Sequence, residues 1–324
     1  MKTATNINIL ATGWRFAKQG YCNYNRKYRV KQQLKILFHT IINPLFSYKW
    51  FNLLQTPPYK SIFSFRQRIY IKPFRPYISL SWNKKRKLKV IFETYEFIKN
   101  IGYQFYQDIL KSNEGVIISE LVFDNFHFGS LKLGYDEKFR KEGELVLFIE
   151  NTLKEKIISI AFSIEKNDDG KYVCLIGCVQ GNNKDSFKFL QKLLHGMRPN
   201  NFIVFCIQEL CKNLGCDIIY GANNKIQVNQ KKHFINMKFF HKIFFNYDNF
   251  WISVGGKNIN NYWFELPLTM LRSNILDIKS NKRSMYKKRY IFLDTITLEI
   301  FNKVTRFKEK PFTAKNTMHL KNIA

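Results

Sequence analysis

The chain has 324 residues, 45% of them apolar, with 31 Phe and 17 Tyr. That composition suits one large or two small domains with a sizeable core and excludes an intrinsically disordered chain. Against 24 Asp and Glu stand 53 Lys and Arg, a formal net charge of +29. The implied partners are polyanions (an anionic membrane surface, nucleic acid or an acidic protein), the alternative being AT-rich coding bias alone.

The charge is uneven. Residues 1–92 carry 19 Lys and Arg and no carboxylate, the first acid being Glu93, and the remainder has 34 basic and 24 acidic residues. No apolar run reaches the roughly 18 residues needed to span a bilayer. Residues 1–20 lack the apolar stretch of a secretory signal, and Arg15 and Lys18 fall where it would lie. The expected location is the cytoplasm, with the periphery of the inner membrane as the alternative.

Residues 1–58 read as a basic, helix-tending extension. In "VKQQLKILFHTIINPLF" (Val30–Phe46), Leu34, Ile36, Leu37, Ile41, Ile42 and Leu45 recur near helical spacing. Lys31 and Lys35 are expected on the opposite side, and Pro44 is expected to stop or kink the helix. This pattern suits either packing on the domain or an anionic membrane. "TPPYKS" (Thr56–Ser61) is a break, and "YIKPFRPYISL" (Tyr70–Leu80) reads as an extended connector. A helix is expected from Val90 to Ser112, with Gly102 its weak point.

The period then shortens. Gly115–Phe123, Ser130–Tyr135, Glu144–Asn151, Lys156–Lys166 and Tyr172–Gln180 are short and β-rich, and Asp168-Asp169-Gly170 signals a turn. An antiparallel meander follows. Lys184–Leu194 is a short amphipathic helix. Pro199 opens a second, and Gly215 closes it. Asp217–Asn224 is a strand ending in a polar loop, and "KIFFNYDNFWISVGG" and "NYWFELPL" supply two or more further strands. The expected class is α+β: a mostly antiparallel central sheet flanked by helices over residues 59–310, with residues 311–324 as a tail.

The six cysteines lack CxxC spacing. Cys174 and Cys178 are expected on one face of a strand, and Cys206, Cys211 and Cys216 fall at five-residue intervals on and after a helix. Buried free thiols are the better reading, with no metal site.

By "GCVQG", "HGMRP", "NYDNFW", "VGG" and "KRSMYKKR", in that order, the chain resembles the VirK/YbjX family of bacterial proteins over roughly residues 60–310. The resemblance implies a role in virulence, envelope maintenance and resistance to antimicrobial peptides, and leaves the chemistry open.

The strand–turn–helix order around Gln180-Gly181 also resembles the core of the acyl-CoA N-acyltransferases. That likeness implies acyl-CoA as cofactor, its pyrophosphate held by Gln180, Gly181, Asn182, Asn183 and Lys184, with Arg198 as a cationic supplement. After Gln180 a single glycine appears, at the next position, so the pattern Q/R-x-x-G-x-G/A is absent. His195 and the aromatic-flanked Asp248 are the candidate proton acceptors, and the alternatives are a helix-end and a turn-capping role. Lys282, Arg283, Lys287, Lys288 and Arg289 would form a basic helix face for anionic lipid or nucleotide, or a solvated surface. The sequence holds no Walker A loop, GxSxG, HExxH, helix-turn-helix or RNP signature. Three functions compete: an envelope-stress protein, an acyltransferase-like enzyme acting on a lipid, peptide or protein amine, and, on charge alone, a nucleic-acid binder.

Overall fold

Between Lys2 and Phe65 the described residues wind into four helices. The computed structural model describes residues 2–56, 59–112, 114–182, 184–228 and 245–308. Helices α1 (Lys2–Gly20), α2 (Arg26–Ile42), α3 (Pro44–Leu53) and α4 (Tyr59–Phe65) come first. Asn25 caps α2 by accepting from the Tyr28 N–H at 2.8 Å. Pro44 separates two helices by taking the first position of α3, where its missing N–H costs nothing. The close approach of the three helices is set at Gly13, whose absent side chain leaves room for Phe51 and the Thr40 hydroxyl. Where an extended connector was expected, Gln67–Phe74 is a 3-10 helix. Its Ile69, Tyr70 and Ile71 are buried, and the Trp50 indole N–H donates to the Tyr70 carbonyl at 2.8 Å. Burial of three consecutive apolar residues favours a coiled segment over an extended one that turns alternate residues to water. Met1–Pro76 with Asn83–Lys87 form one compact unit, and Tyr77–Trp82 with Leu88–Ala324 form the other.

The second unit is α+β. Helix α5 (Lys84–Ile101), part of this unit from Leu88 onward, and α6 (Tyr103–Lys111) are one helical run broken at Gly102, as the glycine suggested. Then come β1 (Val116–Phe123), β2 (Phe126–Gly134), β3 (Leu145–Asn151), β4 (Lys156–Lys166) and β5 (Tyr172–Gly181) as an antiparallel meander. Helices α7 (Lys184–Leu193) and α8 (Pro199–Leu214) carry the chain to β6 (Ile218–Ala222), which pairs parallel with β5. Helix α9 (Tyr247–Ser253), β7 (Lys257–Asn258), β8 (Trp263–Leu266) and α10 (Ser280–Lys308) complete the unit. The sheet order is β1-β2-β3-β4-β5-β6-β8-β7, with β5–β6 its parallel pair. Pro199 opens α8, and Gly215, in the left-handed region at φ +90°, closes it with N–H bonds to the Cys211 and Lys212 carbonyls. Helix α8 is buried along most of its length and packs on β3, β4, β5 and α10. The tail expected over 311–324, and residues 242–244, lie outside the described residues.

Tyr247–Ser253 is helix where a strand was expected. The Asn246 side chain accepts from the Asn249 N–H at 3.1 Å, and Tyr247, Phe250 and Trp251 fall on one buried face at three- and four-residue spacing. Aromatic residues suit a strand on composition, but cap and periodicity decide otherwise here.

One irregularity organises the sheet. Ala161 pairs with Cys178 and Phe162 with Ile176, which leaves Gly177 as an unpaired extra residue in β5. A Cβ there would lie 1.9 Å from the Glu142 carbonyl oxygen, so only glycine admits this approach. The bulge reverses the side-chain alternation beyond it. Cys174 and Cys178 therefore do not share a face: Cys174 meets Cys211, whereas Cys178 lies by Glu142 and Tyr247. Burial raises the thiol pKa of Cys174, Cys178, Cys206 and Cys211.

Gly177→Ala is expected to destabilise the protein by about 3 kcal/mol and lower Tm by roughly 5–10 °C, because the clash is with backbone. Thermal denaturation followed by circular dichroism measures this, and an unchanged Tm would mean that the bulge gives way freely.

Candidate functional site

Strands β5 and β6 pair only over Val173–Ile176 and Ile218–Gly221. Beyond that point β5 follows β4 as far as Gly181, while β6 stays on β8 through Ala222 and Trp263. The two strands part, and the backbone groups of β5 facing the gap need other partners. The Gln227 amide donates to the Gly177 carbonyl. The Tyr247 hydroxyl donates to the Val179 carbonyl at 3.1 Å and accepts from the Val179 N–H at 3.3 Å. On the other side of the notch, the Trp251 indole N–H donates to the Ala222 carbonyl at 2.9 Å. The indole lies so close on Gly221 that a Cβ would be 2.5 Å from the ring. Helix α9 thus closes the notch with side chains that stand in for strand pairing. Burial holds the Tyr247 hydroxyl well above its ordinary pKa, so it stays protonated and able to donate.

Asp248 lies at the same place. Its Oδ1 accepts from the Asn224 N–H at 2.9 Å. The Asn224 Oδ1 in turn accepts from the Tyr247 N–H at 3.0 Å, and the Asn224 side-chain amide donates to Asn246 at 2.9 Å. This reciprocal set ties the end of β6 to the start of α9.

The Gln180–Asn182 turn is exposed at the end of β5. Sheet pairing uses the Asn182 N–H, which donates to the Ile157 carbonyl at 3.0 Å. Its side chain donates to the Lys156 carbonyl at 2.8 Å and accepts from Lys138 at 3.1 Å. Gly181 sits against the Phe187 ring. Asn183 lies outside the described residues. Arg198 is exposed at the N-cap of α8 and, among the described residues, makes no ion pair, with Asp185 or otherwise. The ten residues of α7 place about 15 Å between the turn and the helix end that leads to Arg198. The structure therefore does not bring Arg198 onto the turn.

His195 and Gly196 make the sharp connection from α7 to α8, with φ of +49° and +77°. The His195 carbonyl accepts from Arg289 Nη2 at 2.6 Å, and the Arg289 guanidinium lies 4.1 Å from the centroid of the Tyr286 ring. Arg283 donates to the Ile278 and Leu276 carbonyls at 2.8 and 2.9 Å. Of the expected basic face, two arginines are thus engaged by backbone, while Lys282, Lys287 and Lys288 are exposed. His195 borders a shallow cleft of about 550 Å³ with Asp124, Asn125, Phe126, Lys192 and Leu193. Burial, then the Lys288 charge, lowers the His195 pKa, with Arg289 adding to the effect and Asp124 opposing it. The sequence reading missed Asp124. Its signal was an Asp-Asn pair between two strand-like runs, where Asp124 takes φ +50° in the β1–β2 turn.

A family model described as "protein of unknown function (DUF535)" matches residues 25–302. The chain belongs to this family. It is the VirK/YbjX family of the sequence motifs. The chain is similar to YbjX of Escherichia coli (strain K12), 24% identical over 267 residues, 81% of this chain and 80% of that one. It is also similar to two uncharacterized proteins of Haemophilus influenzae (strain Rd). One is 34% identical over 178 residues, 53% of this chain and 56% of the relative. The other is 41% identical over 134 residues, 40% and 43% of the two chains. The chain thus spans about half the length of these Haemophilus relatives. No solved structure matches it. Among the described residues no helix is long and apolar enough to cross a membrane.

The DUF535 match begins within the segment read as an extension and takes in α2 as well as the notch, the cleft and most of α10. In this DUF535 chain none of the interactions of His195 reaches Asp248, so the two candidate proton acceptors serve separate places. Asp248→Ala is expected to cost about 1–2 kcal/mol in urea denaturation, because the Asn224 N–H loses its acceptor. Lys288→Gln is expected to move the His195 titration upward, toward its ordinary value, as read by NMR of the imidazole. A depressed folded-state value means that His195 subtracts stability as pH falls below its unfolded pKa, so that loss shrinks in the variant.

Proposed function

We propose that this DUF535 protein is an envelope-stress protein of the VirK/YbjX type, contributing to antimicrobial-peptide resistance or envelope maintenance. We further propose that its α+β unit is an acyl-CoA-dependent N-acyltransferase-like enzyme acting on a lipid, peptide or protein amine. Family membership supports the first statement. The parting of the parallel strands β5 and β6 supports the second. A strand edge turned into a gap offers alternating N–H and C=O groups to an extended amide chain, and the pantetheine arm of CoA is such a chain. The Gly177 carbonyl and both polar groups of Val179 are those groups, held until then by Gln227 and Tyr247.

In this reading Gln180, Gly181 and Asn182, at the mouth of the gap, meet the donor's phosphates. Arg198, at the far end of α7, meets a separate anionic group. The acceptor amine attacks the thioester carbonyl, the C–S bond breaks, and the proton lost by nitrogen finally neutralises the CoA thiolate. Asp248 is better placed than His195 to carry that proton, since its neighbour Tyr247 closes the gap. Its Oδ1 holds the Asn224 N–H, and the second carboxylate oxygen keeps acceptor capacity.

Purified protein titrated with acetyl-CoA and longer acyl-CoAs is expected to gain about 2.7 kcal/mol at a hundredfold excess over Kd, a Tm rise of roughly 5–10 °C. Gln180→Ala and Arg198→Ala should each reduce the rise. If no acyl-CoA changes Tm or releases heat in calorimetry, the acyl-transfer reading fails and the envelope role rests on the family alone.

A further inference from the structure

The burial of α2 is inverted. Its inward face holds Gln32, Gln33 and Thr40 beside Ile36. Gln32 accepts from Arg75 at 2.6 Å, and the Thr40 hydroxyl donates to the Ile36 carbonyl at 2.8 Å. The outward face carries Leu34, Phe38, Ile41 and Ile42 and continues to Leu45 at the start of α3. These five side chains are between 57% and 78% exposed. Single exposed apolar residues are ordinary, whereas a run of five large ones along two successive helices marks an interaction surface.

The lysines fall on that same face. Lys27, Lys31 and Lys35 line one shallow groove with Leu34 and Phe38, where the sequence pattern placed Lys31 and Lys35 on the opposite side. The apolar residues dominate the C-terminal half of α2 and the lysines its N-terminal half. The whole first unit has 18 Lys and Arg and neither Asp nor Glu. Burial, then the charges of Arg75 and Lys31, lowers the Lys35 pKa, as expected where like charges crowd without a carboxylate.

The geometry points to this face of α2 and α3 as a docking surface for an anionic bilayer, with Leu34, Phe38, Ile41, Ile42 and Leu45 entering the acyl boundary and Lys27, Lys31 and Lys35 on the headgroups. Lysine suits that arrangement, since its stem runs along apolar surface while the ammonium stays in the polar layer. A second copy suits it less: a parallel pairing sets lysine against lysine, an antiparallel one covers the lysines with the partner's apolar half, and no acid offsets either. The surface lies on residues separate from the β5–β6 gap, so it stands whether or not the chain transfers acyl groups.

The test is co-sedimentation of the full chain with vesicles of phosphatidylcholine alone and with phosphatidylglycerol added. Binding is expected to require phosphatidylglycerol and to weaken as salt rises. The double variant Phe38→Asp, Leu45→Asp should lose at least tenfold in apparent affinity with Tm unchanged, since both positions face solvent. Should that variant not fold, Lys27→Gln, Lys31→Gln, Lys35→Gln serves instead, with weaker binding and a shallower salt dependence expected. A full chain that stays in the supernatant at low salt overturns the proposal. So does binding indifferent to either set of substitutions. Sedimentation velocity covers the remaining occupant: a dimer dissolved by Phe38→Asp, Leu45→Asp in a chain that ignores vesicles assigns the face to self-association.

Discussion

The contact between Gly177 and the Glu142 carbonyl is the constraint on which the second unit turns. It forces one extra residue into β5, and every side chain beyond it changes face. The strand then leaves β6, and its freed backbone groups must be met by side chains. That need accounts for the identity of Tyr247, Gln227 and Trp251, and for the placing of α9 at that point. A hydroxyl that both donates and accepts satisfies two groups of one residue, which neither Phe nor Leu achieves.

Much of this unit was legible in the chain. Alternation and turn residues indicated the meander, Pro199 and Gly215 bracketed α8, and Gly102 marked a helix break. The bulge was not legible, because β5 is buried on both faces and its near-continuous apolar run has no alternation for an extra glycine to interrupt. Only the approach of the Glu142 backbone, distant in sequence, distinguishes the two. Helix α9 was misread for a related reason: aromatic residues suit a pleated surface, and the Asn246 cap weighs little without knowledge of what the aromatics face. The apolar positions of α2 were visible, but which face is buried depends on α1 and α3, and those neighbours take the polar side.

The candidate residues divide in the same way. The positions of His195, Asp248 and the α10 basic cluster in special segments were readable from glycine, proline and charge. Their partners were not. Arg289 reaches the His195 carbonyl across 94 residues, and Arg283 braces the turn before its own helix. A cluster that reads as free positive charge thus contains two arginines engaged by carbonyls, which lack side-chain identity and leave no mark in composition.

The absence of Asp and Glu from the first unit has a consequence for how its environment can act on it. A protein normally adjusts its charge in acid through carboxylates, and here there are none to protonate. From roughly pH 2 to pH 7 its side chains offer essentially one titrating group, His39, already biased toward the neutral form by burial and by Arg75, Lys84 and Lys35. Acidity therefore leaves the internal repulsion of this unit nearly constant. Counterions alone can relieve it, so the unit is in effect a gauge of ionic surroundings and not of pH.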